Sequence, residues 1–409
     1  MQQRYARSSP YNLITVEKGE PRPSDCPSDN VYTRAEQALK QWIAEGILIQ
    51  DSAPGIYVYS QEYTVPGSTE RRTRCGFIAL GRVEDYCAGV VFRHEHTMTG
   101  PKADRLELLR HTHTHTGQLF MLYTDPRRRV DALLAPVVSG PAPVEACDEY
   151  DVAHRLWPVF DAGVIAGVQQ GMADRKLVIA DGHHRYETAI AYRDERRAGA
   201  PHLDLDAPYE KVMMTFFNTR SEGLLILPTH RVVAGLANFN PDTFRSRMAA
   251  TFDQQVFSFS DPAERTAVLE NFRRELASHG AAGPAIGMYT ANSFVLFSLK
   301  PTADLAALLP DVPPVLRQLD LVLLHRLLLE NGLGITPAAV TAGRHLTYER
   351  EMAVALAAVD EGQARACFLL NPIGVETTTE IALSGQVLPQ KSTDFFPKLL
   401  SGITIYRMD

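Results

Sequence analysis

The chain has 409 residues, of which 45% are hydrophobic and 22% charged, and its formal net charge is -7. A length of this order exceeds the usual single core and predicts two α/β domains or one core with a large elaboration; the order of elements along the chain favours a division into residues 1–235 and 236–409. The acidic balance excludes a general surface for nucleic acid or anionic lipid, so any phosphate site must be local.

Taken in chain order, the Pro-, Ser- and Asp-rich stretch 21–30 reads as a loop, and Thr33 with Glu36 gives a capping-box signature for a helix reaching residue 45. Residues 55–64 and 73–80 alternate aromatic or β-branched side chains with polar ones around Pro66-Gly67, which predicts a hairpin. A helix over 104–110 and a strand over 119–123 follow, then a loop at 136–143 and a helix over 162–172. The apolar run 177–180 predicts a buried strand, and 186–197 has helical alternation. A strand at 211–218 closes the first half. Beyond residue 237 the pattern predicts helices over 241–252 and 262–278, paired strands at 285–289 and 294–299, helices over 314–330 and 349–359, and a short strand at 368–371. The fold class is therefore mixed α/β. The tract HTHTHT, with His111, His113 and His115, reads as a solvated loop or helix end.

Five scattered cysteines without a CxxC pair suit reduced thiols rather than a disulfide framework or thiolate zinc. The first nine residues are polar and no apolar run approaches the ~18 residues of a membrane span, so a soluble, cytoplasmic protein without membrane partners is expected.

The most informative stretch joins the 177–180 strand to the following helix through Asp181, Gly182, His183, His184 and Arg185. Gly182 permits a tight turn. Free N–H groups and the positive end of the helix dipole make such a turn an anion site, and Arg185 adds a donor suited to phosphate. Asp181 is then available to hold a metal or accept a proton. The structural alternative makes Asp181 a helix cap and the histidines polar turn residues.

A second polar cluster comprises His94, Glu95, His96, Lys102, Asp104 and Arg105. A metal reading joins His94, Glu95 and His96 to Asp181 and His183, but HxH spacing is weakly specific and there is no HExxH helix. Near the C-terminus, Lys391, Ser392 and Thr393 supply phosphate-gripping groups just before a predicted short helix, without the glycines of a P-loop. His230 and Arg231, after an apolar run, read as an anion contact or as a strand end with satisfied polar groups.

The chain resembles the domain-of-unknown-function 1015 family over nearly its whole length. The motifs that carry the resemblance are YVYSQEY at 57–63, GFIAL at 76–80, HEHTMTGPKADRLELL at 94–109, IADGHHRYETA at 179–189, ILPTHRVV at 226–233 and LPQKSTDFFPKLLSG at 388–402. The DGHHR turn is also similar to the phosphate-binding turn of the ParB and sulfiredoxin superfamily, which includes nucleotide-dependent free-serine kinases. Members of the family usually carry a PPYDVI-like segment ahead of the stretch matching Ser9 to Asn12, and they more often have tyrosine where Asp394 stands.

This resemblance implies a ParB/sulfiredoxin-like core around the strand-DGHHR-helix turn, with a C-terminal α/β half packed over it. It implies a nucleotide-dependent phosphotransferase acting on a small hydroxylated metabolite, serine being the leading candidate, with ATP or ADP and Mg²⁺ as cofactors. Asp181 positions Mg²⁺ or the substrate hydroxyl; Gly182, His183, His184 and Arg185 hold phosphate oxygens; Lys391, Ser392 and Thr393 clamp from the far side. His94, Glu95, Lys102, Arg105, His230 and Arg231 are further substrate or metal contacts. Kinases of this superfamily draw a catalytic acid from the N-terminal region, a role given to no residue here. A homo-oligomer is compatible with the sequence. The competing classes are a nucleotide-binding regulatory protein without turnover and a metal-dependent hydrolase.

Overall fold

The computed structural model describes residues 2–95, 101–236 and 239–409. The fold is mixed α/β, and the chain divides into two compact units. The first comprises 1–225, 382–386 and 397–409, and the second 226–381 and 387–396.

The strands of the first unit are β1 (Ile56–Thr64), β2 (Arg71–Arg82), β3 (Val91–Arg93), β4 (Thr114–His115), β5 (Leu119–Tyr123), β6 (Val144–Cys147), β7 (Ala153–Val159), β8 (Leu177–Asp181) and β9 (Lys211–Asn218). Eight of them form one sheet in the order β3-β8-β5-β9-β2-β1-β7-β6, parallel at β3/β8 and β5/β9 and antiparallel elsewhere. β4 pairs instead with Tyr406–Arg407. Val58, Phe77, Met121, Ile179 and Phe216 share one sheet face, part of the main core of this unit. The opposite face is unusual for a buried sheet, because Tyr59, Gln61, Arg74, His154 and Thr215 are all buried there. Polar groups in such a place need partners. The 397–404 segment supplies several of them.

The helix expected from Thr33 and Glu36 spans Val31–Ala44, one turn of capping earlier than its signature. Asn30 is the N-cap, accepting from the backbone of Tyr32 and Thr33, and the Thr33 hydroxyl accepts from the Asn30 N–H. The strands at 119–123 and 211–218 and the helix at 162–172 lie where periodicity puts them.

In the second unit a six-stranded sheet includes the expected pair Ala285–Thr290 and Ser293–Leu299. The expected 241–252 helix stops at Met248, and Phe252 opens the strand Phe252–Ser258. The 314–330 segment is also not one helix: it is divided into Pro314–Leu316, Asp320–Leu323 and a π-helix over Leu324–Gly332. Residues 394–396 form a strand rather than the short helix expected after Thr393. Their Phe395 and Phe396 are buried, so tertiary burial decides the local state.

The HTHTHT tract is not a solvated loop. Its start is the expected helix end, His111 lying in the last turn of the helix Pro101–Thr112 and stacking on Tyr32; His113 has φ 48°, and His115 is buried against Tyr406.

Candidate functional site

Asp181 ends β8 beside a register shift. Met121 lies opposite Ile179 but Phe120 lies opposite Asp181, leaving Ala180 as the extra residue of a bulge. Strand side chains alternate faces, so without the bulge Asp181 would join Ile179 on the core face. The bulge turns it to the face of Phe120 instead, the re-aiming that bulges provide beside functional sites.

Gly182 follows with φ 98° and is the N-cap of the helix His183–Gly199, making no side-chain cap. Asp181 therefore does not cap the helix; its Oδ1 accepts the Gly182 N–H at 2.8 Å. The φ favours glycine, and a Cβ at position 182 would stand 2.9 Å from Leu119 Cδ2 and 3.0 Å from Arg185 Nη2, so a side chain here would also displace these two neighbours. His183, His184 and Arg185 form the first helical turn. His183 Nε2 and Arg185 Nε are buried and make no hydrogen bond among the described residues. Polar atoms cost free energy when buried unpaired, and Arg185 Nε can only donate, so a turn that leaves them open suits a polar ligand with acceptor atoms.

The other face of the turn is lined by charge. Lys398 Nζ lies 3.6 Å from Asp181 Oδ2, with the two side chains 47% and 42% exposed. Burial pushes the Asp181 carboxyl up, but Lys398, Arg185, His183 and the Gly182 N–H outweigh it and hold it below 3.8. His94 is buried, its Nδ1 2.6 Å from the Ile179 carbonyl and its ring 4.8 Å from that of His183. Burial holds His94 down at about 4, and burial with His94 beside it holds His183 down at about 3. Both rings are neutral at physiological pH. Glu95 Oε2 lies 4.0 Å from His94 Nε2.

Arg185 also lines a cleft with Glu17, Arg105, His115, Thr116 and Gly117. Glu17 accepts from Thr116 Oγ1 at 2.9 Å and lies 3.6 Å from Arg105 Nη1. Two arginines and one carboxylate thus meet beside the DGHHR turn. Glu17 is part of no recognisable motif; Lys398 stands in the 388–402 motif, but only the tertiary fold brings it to Asp181.

The remaining expected residues are placed elsewhere. His96 and the side chain of Lys102 lie outside the described residues. His230 and Arg231 belong to the second unit and to its internal framework: His230 Nδ1 accepts from the Leu370 N–H at 3.3 Å, and Arg231 donates to the Thr229 and Lys391 carbonyls and to His325. Lys391, Ser392 and Thr393 are in the same unit. Lys391 has φ 60°, and the Ser392 hydroxyl donates to the Pro389 carbonyl.

Among the described residues no three His, Cys, Asp or Glu side chains gather as a metal site. His94, Glu95, Asp181 and His183 therefore do not fit a metal held by protein alone. A single carboxylate beside a helix N-terminus does fit Mg²⁺ that is carried by nucleotide phosphates, the usual mode for this ion.

The family model described as "Protein of unknown function (DUF1015)" matches residues 1–322. The chain belongs to the DUF1015 family. The matched span contains the DGHHR turn, Glu17 and Arg105. No curated protein matches the chain. Among solved structures, a conserved hypothetical protein from Pyrococcus furiosus is similar at 12% identity and TM-score 0.36, over 79% of this chain and 92% of that one. A free serine kinase in complex with AMP is similar at 12% identity and TM-score 0.37, over 78% and 86%. SbnI with a C-terminal truncation from Staphylococcus aureus is similar at 9% identity and TM-score 0.34, over 79% and 85%. Among the described residues of this DUF1015 protein, no helix is long and apolar enough to cross a membrane.

Proposed function

We propose that the protein is a nucleotide-dependent phosphotransferase acting on a small hydroxylated metabolite, with a ParB/sulfiredoxin-like core around the DGHHR turn. The observation that carries this reading is the pair of open buried nitrogens, His183 Nε2 and Arg185 Nε, at a helix start whose N-cap is Gly182. Phosphoryl transfer needs positioning and charge neutralisation more than covalent chemistry, and this turn supplies both. Arg185 and the N–H groups of the first helical turn hold phosphate oxygens. His183, neutral and desolvated, donates a hydrogen bond without adding charge, and His184 lies in the same turn.

Asp181 remains a carboxylate and orients the substrate hydroxyl or the Mg²⁺ borne by the phosphates. Bound Mg²⁺ supplies neutralisation of phosphate charge. Glu17 is the N-terminal carboxylate of the adjoining cleft and takes the hydroxyl proton, with Arg105 steering the substrate's own anionic group. Serine remains the leading acceptor in this reading. Removing one donor of this kind costs about 10²–10³ in rate, roughly 2.7–4 kcal/mol. Calorimetric titration with ATP and with ADP in the presence of Mg²⁺ tests the first half of the proposal. Arg185→Ala is expected to weaken binding at least tenfold, and equal affinity in that variant contradicts the role.

A further inference from the structure

The lysine at the site is carried by a segment that the sheet grips through buried polar side chains. Arg74, fully buried, lies over the rings of Phe120 and Phe217 at 4.6 and 4.8 Å. Its guanidinium donates to the Pro397 carbonyl and twice to Gln61 Oε1, at 2.9 and 2.5 Å. Arginine has donors only, so the Gln61 oxygen must face it and the Gln61 amide nitrogen must face away. That nitrogen donates to the Lys398 carbonyl at 2.8 Å. Further along, the Leu400 N–H donates to Tyr59 Oη at 3.2 Å, and Gln118 Nε2 donates to Thr404 Oγ1 at 3.2 Å.

A buried arginine is a poor device for stability alone, because apolar side chains of similar volume fill such a site at least as well. Here it bonds the Pro397 carbonyl directly and, by orienting Gln61, reaches the carbonyl of Lys398, so the pair holds the two consecutive residues that present the Lys398 side chain. We propose that Arg74 is a positioning residue, which acts through Gln61 and the Pro397 carbonyl to fix the backbone at 397–398 and so holds the Lys398 ammonium at Asp181 in the anion site. The proposal rests on reading that turn as a phosphate site. The groups that face Asp181 are Lys398 from this segment, Arg185, His183 and the Gly182 N–H from the helix start, and His94 from the loop after β3.

The test uses the full chain with Lys398→Ala, Arg74→Met, Gln61→Leu and the double variant Arg74→Met/Lys398→Ala. The Asp181 carboxyl is titrated by carbon NMR, and ADP affinity is measured with Mg²⁺. Lys398→Ala raises the Asp181 midpoint toward the ordinary carboxylate value, and Arg74→Met and Gln61→Leu raise it in the same direction. ADP affinity falls about tenfold in each single variant, and the double variant is no more than about twofold weaker than Lys398→Ala. A merely structural arginine would leave the Asp181 midpoint unchanged, or its effect would add in full to that of Lys398→Ala; either result overturns the proposal. If Arg74→Met does not fold, Gln61→Leu carries the same test. If the wild type does not bind ADP, the phosphate reading fails, while the Asp181 titration still decides whether Arg74 positions Lys398.

Discussion

Asp181 and Lys398 stand 3.6 Å apart at the surface of the first unit, one re-aimed by a bulge in β8 and the other held by a buried clamp on the C-terminal segment. Both side chains are close to half exposed, so solvent screens the pair and it contributes little to stability. Its placement beside open donors gives it an electrostatic role at the turn instead.

Lys398→Met should therefore leave the thermal midpoint within about 2 °C of wild type, since surface pairs are worth about 0–1 kcal/mol. ADP affinity should fall roughly tenfold in the same variant. Thermal melts and calorimetry on one sample separate the two effects; a large stability loss with unchanged affinity would make the pair structural.

Gly182→Ala should harm both stability and binding. A left-handed φ costs a non-glycine residue about 1–2 kcal/mol, and the added methyl meets Leu119 and the Arg185 guanidinium. Denaturant unfolding should show a loss of about that size, and nucleotide affinity should drop with it. Wild-type affinity in a destabilised Gly182→Ala would show that Arg185 does not depend on this turn.

Burial is the leading cause that holds His94, His115 and His230 at about 4, and His183 and His325 at about 3. Their folded values lie below the unfolded value of 6.5, so the unfolded state binds more protons below that pH. Their contribution is complete above pH 6.5 and is lost as the pH falls toward 4 and 3. Each adds a slope of about 1.4 kcal/mol per pH unit within its window. Unfolding measured from pH 8 to 4 should be flat at first and then steepen below about 6.5, and nitrogen NMR should find these rings neutral at pH 6. A ring among them that titrates near 6.5 would remove its share.

Much of this architecture was legible in the sequence. The run ending at Asp181, the hairpin around Pro66-Gly67 and the 119–123 and 211–218 strands follow from apolar pattern and turn chemistry. What periodicity misses is decided by tertiary contact. The 314–330 segment has a helical apolar spacing but breaks between Leu316 and Asp320, where the next helix opens with the Asp320 carboxyl accepting the Ala285 N–H. Phe395 and Phe396 enter a strand although a lysine and two hydroxyls before them resemble a helix start. The DGHHR turn announces its chemistry because its groups are adjacent in sequence. Glu17, Arg74 and Lys398 do not, because each acquires its meaning from partners far away in the chain.

Lys391 tests the second unit separately. Its φ of 60° strains a non-glycine residue, so Lys391→Gly should keep or raise stability by about 0.5–1 kcal/mol while removing the ammonium. If Lys391 contacts phosphate, nucleotide affinity falls in a protein that is no less stable. Unchanged affinity would assign Lys391 to the local turn held by Arg231.

Phosphorus NMR of the purified protein with Mg²⁺, serine and either ATP or ADP tests the phosphotransferase reading most directly, with Asp181→Ala and Arg185→Ala run in parallel. A phosphoserine resonance is expected to grow with wild type and to be absent in both variants. Nucleotide bound by the wild type with no new phosphoester, across serine and other small alcohols, would contradict it and make the turn a nucleotide-binding element without turnover.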